Sequence, residues 1–473
     1  MMTTSEILAV VDNVIRLKRD TLGPELLSEL RNRLTRENPQ YHVMRRMRDR
    51  NPQKYQHTKL PAATVTSYEE DEQTFYVPRG FIGELKLMIA EHGMTIRIIN
   101  NTIIFPRNVD IQLSDDLELK EYQKKGVGSL VLSSNGVLVA PCGGGKTVAG
   151  VAILTTLKQP TLVLVHTNDL MSQWQRELAS KAVLPCPVGQ WGGGIKQREL
   201  VTVATIQTLI KMSQPDLAEL LSHFGCVILD EAHHCPANTF LQVMNQCASR
   251  YRFGLTATPN RKDGLEFLMF DTIGPIQSRI TQDELKAEGR SQLCSVRNHH
   301  TTFFTRHTAD EWTSLLAELT TDADRNRIIV DNVLADWNAG EFPLILSQRV
   351  AHCKSLLRAL QSHGMHVELL VGEVPKIARD QICDRARRGL VDAIVATKVA
   401  DEGLDIPNLS SVHLTTPSAN EAKLEQQIGR IRRPIEGKNS IVHDYIDARV
   451  SGLVRMAQSR RRFYKRWEFT FEG

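Results

Sequence analysis

Two separate blocks of the chain alternate short apolar, β-branched runs with longer amphipathic stretches, the pattern of strands and helices taken in turn. In the first block the strand-like runs are Gly136 to Ala140, Thr161 to His166, Val201 to Ala204, Cys226 to Leu229 and Tyr251 to Leu255. The second block begins near Asp322 and predicts strands at Pro343 to Ser347, His366 to Leu370, Ala393 to Ala396, Ser411 to Leu414 and Ser440 to His443. Helices fill its gaps, including Val350 to Ser362 and Pro375 to Arg388. Each block predicts a mostly parallel sheet covered by helices through right-handed crossovers. Residues 281–321 have weaker periodicity and read as a connection.

Before Leu113 the pattern differs. It predicts helices at Ser5 to Arg19, Pro24 to Arg36 and Phe81 to His92, and strands at Ala63 to Ser67, Thr74 to Val77, Thr95 to Ile99 and Thr102 to Phe105. Asn100-Asn101 reads as a hairpin turn. The expected organisation is a small α+β domain over 1–112, a first sheet domain over 113–280, the connection over 281–321, and a second sheet domain over 322–473. At its end, Arg449 to Arg466 and Trp467 to Phe471 read as a closing helix and strand.

Length agrees with several domains, because 473 residues exceed what one core organises. No uncharged apolar run approaches the ~18 residues of a membrane span. Met1 to Asp20 carries Glu6, Asp12 and Asp20 and lacks the pattern of a secretory leader, so an intracellular protein is expected. Eight cysteines without a Cys-x-x-Cys pair read as reduced thiols. His233-His234-Cys235, and Cys294 near His299 and His300, read as loop and helix-start residues rather than metal ligands. The net charge of +4 leaves nucleic-acid affinity to local patches. Arg31 to Lys59 holds nine basic residues against Glu37 and Asp49, and Arg449 to Arg466 holds seven and no acid.

The chemistry concentrates in two segments. APCGGGKT, Ala140 to Thr147, lies between a predicted strand and helix. Gly143, Gly144 and Gly145 let backbone N–H groups turn around a phosphate chain, and the helix start adds partial positive charge. Lys146 then pairs with the β and γ phosphates of ATP, and Thr147 ligates Mg²⁺. LDEAH follows the strand Cys226 to Leu229, so its carboxylates emerge where open α/β sheets bind ligands. Asp230 is the second expected Mg²⁺ ligand, direct or through water, and Glu231 the base that deprotonates the attacking water.

Gln123, APCGGGKT, DEAH at Asp230 to His233, Thr256-Ala257-Thr258 and QQIGRIRR at Gln426 to Arg433 resemble, in order, the motifs of superfamily 2 helicases. The resemblance spans Leu117 to Asp444 and implies two tandem RecA-like domains in an α/β fold. It implies that Gln123 reads the adenine edge and that Arg430 and Arg433 act as arginine fingers on the γ-phosphate. It further implies that Thr256 and Thr258 couple hydrolysis to domain movement, with His233 and Gln426 bridging across the nucleotide. TKVADEGLDIP, Thr397 to Pro407, is similar to motif V, with Gly403 and Asp405 near strand and nucleotide. Nucleic-acid contacts are implied at His166, Thr167, Thr205, Gln207, Gln348, Arg349, Thr397 and Lys398. Hydroxyls, amides and backbone groups on phosphates position a strand with little sequence preference.

Two details point to a branch. Arg261-Lys262-Asp263-Gly264 resembles the Arg-Glu-Asp element of XPB- and UvsW-like helicases, with Lys262 in place of the acid. Between Pro407 and Gln426 no long wedge hairpin fits, which favours duplex translocation, branch migration or local melting. The N-terminal segment from Asn38 through Val77-Pro78-Arg79-Gly80 is similar to the amino-terminal extension of bacterial and phage members and suggests duplex or branch recognition. The resemblance implies an ATP-dependent 3′–5′ DNA helicase or translocase acting on branched or duplex DNA in repair or recombination. An RNA helicase and a translocase subunit of a defence system remain open alternatives.

Overall fold

The computed structural model describes residues 6–55, 57–106, 109–141, 143–231, 237–259, 261, 263–288, 294–308, 311–397, 406–432 and 438–472. The chain divides into two compact units, one formed by 1–140 with 145–280 and the other by 281–473 with the short stretch 141–144. Among the described residues no helix is long and apolar enough to cross a membrane.

The first unit opens with a five-stranded sheet. Its order is Glu69–Glu70, Thr74–Val77, Ile15–Lys18, Glu6–Val11, Thr95–Asn100. The helix expected over Ser5 to Arg19 is instead a hairpin, with Ala9 opposite Leu17 and Val11 opposite Ile15. Burial explains the difference: Ile7, Ala9, Ile15 and Leu17 are fully buried on one face, and period-two burial of β-branched residues favours strands. The expected hairpin at Asn100-Asn101 is also absent. Thr95–Asn100 pairs in parallel with Glu6–Val11, and beyond it Ile103 forms an isolated bridge to Ser249 of the following sheet. The helices Gly23–Arg33 and Ile82–Glu91 close this core.

This small domain is fastened to the sheet that follows. Ser67 Oγ donates to Asp271 Oδ2 at 2.6 Å, and Arg79 donates to the Ser249 carbonyl at 2.6 Å. Gly80 lies flush against the turn at Gly274, where an added Cβ would sit 2.5 Å from a backbone nitrogen.

The main sheet of the unit runs Ile195–Gln197, Gly189–Gly192, Val201–Thr205, Thr161–Val165, Cys226–Asp230, Tyr251–Thr256, Asn135–Val139, Ile276–Arg279. Only the Ile195–Gln197 hairpin partner is antiparallel. Parallel register aligns Val139 with Thr256, Leu255 with Asp230, and Val165 with Thr205, so the phosphate loop, the acidic pair and the polar loops leave one edge of the sheet together.

The second unit holds a seven-stranded, all-parallel sheet: Val367–Leu370, Ala393–Ala396, Pro343–Leu346, Ser411–Leu414, Ile441–Ile446, Ser295–His300, Thr470–Glu472. The segment 281–321, expected as a connection, supplies one of its interior strands and the helices Gln282–Ala287 and Trp312–Thr321. Helix Ser451–Arg466 buries Phe463 and Tyr464 in the core of the second unit and Leu453 against Leu315, Leu316 and Leu319 of helix Trp312–Thr321.

Candidate nucleotide site and nucleic-acid surfaces

Strand Asn135–Val139 leads through the glycine loop into helix Lys146–Leu157. Gly143 and Gly145 have φ of 83° and 76°, a left-handed backbone that glycine adopts without penalty. The Gly145 position has a second constraint, because an ideal Cβ there would lie 2.3 Å from Gln123 Nε2. Gln123 is itself buried; its Oε1 accepts from the Lys120 N–H at 3.0 Å while Nε2 has no hydrogen bond. A buried donor left open beside the phosphate loop suits recognition of a nucleotide base.

Lys146 Nζ lies 3.1 Å from Glu231 Oε1 and 3.4 Å from the Ala140 carbonyl. Thr147 follows it in the first helical turn, half-buried. Asp230 ends its strand with both oxygens engaged: Oδ2 accepts from Trp174 Nε1 at 2.7 Å and Oδ1 from the Glu231 N–H at 3.0 Å. Burial first, then the neighbouring Glu231 charge, pushes the Asp230 carboxyl up to about 6, against the opposing pull of Lys146. Glu231 has a φ of 50°, an uncommon backbone for a non-glycine residue and one that turns the chain directly after the strand. This donor set fits Mg²⁺: a buried carboxylate short of positive charge, with a hydroxyl at the start of the facing helix.

Trp174 was not singled out by the sequence. Its indole orients Asp230, and its ring edge presses on Gly150, where a Cβ would come within 2.4 Å. The only advance signal was a glycine inside an otherwise apolar helix. Thr256 ends its strand fully buried; its hydroxyl donates to the Thr258 carbonyl at 2.7 Å and its carbonyl accepts from the Ala140 N–H at 2.9 Å. The strand bearing the Thr-Ala-Thr segment is thus bonded directly to the root of the phosphate loop.

The residues expected to meet nucleic acid divide in two. On the same sheet edge, His166 is half-buried, Thr167 caps helix Asn168–Lys181 by accepting from the Leu170 N–H at 3.2 Å, and Gln207 is exposed. Thr205 is buried, with its hydroxyl 2.7 Å from that of Thr208. In the second unit Arg349 donates to the Thr313 carbonyl at 2.9 Å, and Gln348 to the Pro417 carbonyl at 3.1 Å. Thr397 shares a small recess with Ser347, Thr416, Lys423 and Gln427.

Gln426 is buried within helix Glu421–Gly429, and Arg430 follows its end. Arg432 is consumed by the fold, lying over the Trp467 ring at 5.2 Å and donating to Gln282 Oε1 at 2.9 Å. His233, Lys262, Lys398, Gly403, Asp405 and Arg433 lie outside the described residues.

Two features add to the sequence reading. Helix Pro39–Arg50 buries none of its residues and exposes Arg45, Arg46, Val43 and Met47. It starts on the Arg261–Gly264 element: Pro39 fills the space at Gly264, and Gln40 Nε2 donates to the Asp263 carbonyl at 3.3 Å. Arg261 and Asp263 form a two-point ion pair at 2.9 and 2.8 Å.

In the second unit, Asp336, His413 and His443 gather in the core, with Asp336 Oδ2 3.0 Å from His413 Nε2 and 3.1 Å from His443 Nε2. The two imidazoles stack at 4.1 Å and 16°, and both turn Nε2 toward the same Asp336 oxygen, which takes up these nitrogens as hydrogen-bonding partners. The arrangement is a structural network, extended by His299 and Tyr445 at 2.9 and 3.0 Å.

Comparison with known proteins finds two family matches. The family model for the res subunit of type III restriction enzymes matches residues 116–261, and that for the helicase conserved C-terminal domain matches 325–434. A DNA 3′-5′ helicase XPB of Kineococcus radiotolerans is 29% identical over 342 residues, 68% of this chain and 59% of the relative. A DNA 3′-5′ translocase XPB2 of Sulfurisphaera tokodaii is 26% identical over 385 residues, 74% of this chain and 85% of the relative. The chain therefore spans less than two thirds of the Kineococcus protein. The structure of S. cerevisiae Dbp5 bound to RNA and ADP BeF3 shares the fold, with a TM-score of 0.57 at 17% identity over 75% of this chain and 90% of that one.

Proposed function

We propose that this chain, which is similar to XPB-type helicases and translocases in its family matches and relatives, couples ATP hydrolysis to movement along duplex or branched DNA, with 3′–5′ polarity, in repair or recombination. The observation that carries the reading is the constellation of Lys146, Asp230 and Glu231 on one sheet edge, with the open donor of Gln123 beside Gly145.

The contacts of Lys146, Glu231, Asp230 and Gln123 support their roles, and the other roles rest on the motif resemblance. Lys146 neutralises Glu231 until phosphates draw it away, which leaves the Glu231 carboxylate free to take a proton from water. Asp230 and Thr147 would hold Mg²⁺, which offsets charge on the phosphate oxygens. Gln123 orients the adenine. Arg430 and Arg433 are the proposed source of guanidinium charge in the transition state, a contribution of ~10³ to 10⁵ in rate where it operates. Thr256 and Thr258, with His233 and Gln426, are the proposed coupling groups, and Gly403 and Asp405 complete the nucleotide contacts. His166, Thr167, Thr205, Gln207, Arg349, Thr397 and Lys398 are the proposed strand contacts. The exposed helix Pro39–Arg50 supplies a duplex- or branch-binding surface through Arg45, Arg46 and Arg48.

The test is ATP hydrolysis across single-stranded, duplex, forked and four-way DNA, with RNA at matched salt. DNA is expected to stimulate most, and equal or greater stimulation by RNA would replace DNA as the polymer. Glu231→Gln is expected to keep ATP binding and lower turnover by about 10² to 10⁴. Normal turnover in that variant removes Glu231 as the base. Charge reversal at Arg45, Arg46 and Arg48 is expected to weaken DNA binding and flatten its salt dependence by roughly 0.7 to 0.9 per lost phosphate contact. Unchanged binding returns these residues to a solvated helix face.

A further inference from the structure

One recess of the first unit is lined by none of the residues of the nucleotide site. It is a cleft of ≈ 770 Å³ between the hairpin Gly189–Gly192/Ile195–Gln197 and helix Gln214–Ser222. Its volume is that of a small-ligand pocket. Trp191 forms an aromatic wall, and Lys196, Arg198 and Lys211 bring three cations to it. Among the described residues none of the three forms an ion pair, although Asp216 and Glu219 share the cleft. Asp216 is instead held by the Ser213 hydroxyl at 2.6 Å. The Trp191 indole N–H is buried without a hydrogen bond, which costs free energy unless an acceptor meets it. The cleft adjoins the polar rim of the sheet, because its Thr208 is bonded to Thr205 at 2.7 Å.

We propose that this cleft takes one nucleotide unit of the bound strand, its base against Trp191 and its phosphate on Lys196, Arg198 and Lys211. The inference rests on the reading that the chain binds nucleic acid through the Thr205 edge. An aromatic face beside unpaired cations is the combination that holds single strands without reading sequence. Asp216 and Glu219 on the facing helix repel a run of phosphates, so the cleft suits one extruded unit rather than a duplex backbone. The occupant distinguishes this site from the exposed helix Pro39–Arg50, which offers cations without a recess.

The experiment uses the full chain and fluorescein-labelled single-stranded DNA, intact or with abasic positions. Trp191→Ala is expected to weaken binding of intact DNA about tenfold, Trp191→Phe to retain most of it, and abasic DNA to bind wild type and Trp191→Ala alike. The exposed double variant Lys196→Glu with Arg198→Glu is expected to lower the salt slope by roughly 0.7 per lost contact. ATP hydrolysis without DNA is expected to stay at the wild-type rate in all variants. If every variant binds intact DNA as wild type does, the cleft serves another ligand, such as an acidic peptide, and the proposal is overturned while the nucleic-acid reading stands. If wild type itself neither binds DNA nor is stimulated by it, both fall together.

Discussion

Asp230 in the first unit and Asp336 in the second are carboxylates of similar depth, 4% and 2% exposed, yet their ionisation shifts in opposite directions. At Asp230 burial and the Glu231 charge dominate, and the proton is held up to about 6. At Asp336 burial opposes ionisation too, but hydrogen bonding and attraction from His413 and His443 outweigh it and hold the carboxyl far below the ordinary range. The same contrast extends to its neighbours. Asp444 is gripped by Arg460 at 2.8 to 2.9 Å, and Asp447 by Arg325 at 2.8 and 3.3 Å, with the guanidinium groups buried as well. Asp444 and Asp447 carry permanent guanidinium counter-charges, and Asp336 is held by two imidazoles. Asp230 accepts only neutral N–H groups, so its missing charge is the signature of a site that a cation completes.

The comparison can be broken most sharply at Asp230 itself. Asp230→Asn removes a buried charge but turns an amide NH2 toward one of the two N–H donors, so ATP hydrolysis is expected to fall about 10²-fold or more while thermal stability without nucleotide falls by no more than ~1 to 2 kcal/mol. Paired ATPase and heat-unfolding measurements decide it, and a large loss of stability would make Asp230 a structural acid like the others. In the second unit the expected effect is the reverse. Arg325→Ala strands Asp447 and is expected to cost ~3 to 5 kcal/mol, read by denaturant unfolding; a cost under ~1 kcal/mol would mean the pair is no anchor.

Acid sharpens the contrast. Burial first, then a neighbouring basic side chain, lowers His352 and His413 to about 3 and His299 to about 4. His443 is the neighbour for His413 and His299, and Arg325 for His352. A histidine whose folded value is depressed contributes stability above its unfolded value near 6.5 and loses it as pH falls toward the folded one. Asp230 runs the other way: its contribution is present below the unfolded value near 3.8 and is lost as pH rises through about 6. Lowering the pH from 6.5 toward 4 is therefore expected to loosen the second unit and tighten the region around Asp230. Hydrogen exchange followed peptide by peptide tests this, and parallel behaviour of both regions contradicts it. The smallest effect belongs to an exposed group: Thr281→Ala removes the capping box with Glu284 and is expected to cost ~1 kcal/mol, visible as a modest shift in unfolding.

What the sequence determined by itself was chemistry carried by contiguous residues. The phosphate loop, the acidic pair and the strands of both sheets were legible because glycine spacing and apolar runs are local properties, and a parallel sheet needs little more to bring strand ends to one edge. Partnership between distant segments was not legible. Glu6–Val11 and Ile15–Lys18 became a hairpin because Thr95–Asn100 and Thr74–Val77 were there to pair with them, and Ser295–His300 became an interior strand because Ile441–Ile446 and Thr470–Glu472 flank it. Only the tertiary structure could assign Trp174 to Asp230, withdraw Arg432 into the core, and collect Trp191 with Lys196, Arg198 and Lys211 around one cleft. The physical reason is common to all: a side chain's charge and shape are written in the sequence, but the free energy of burying it depends on which neighbours the fold provides.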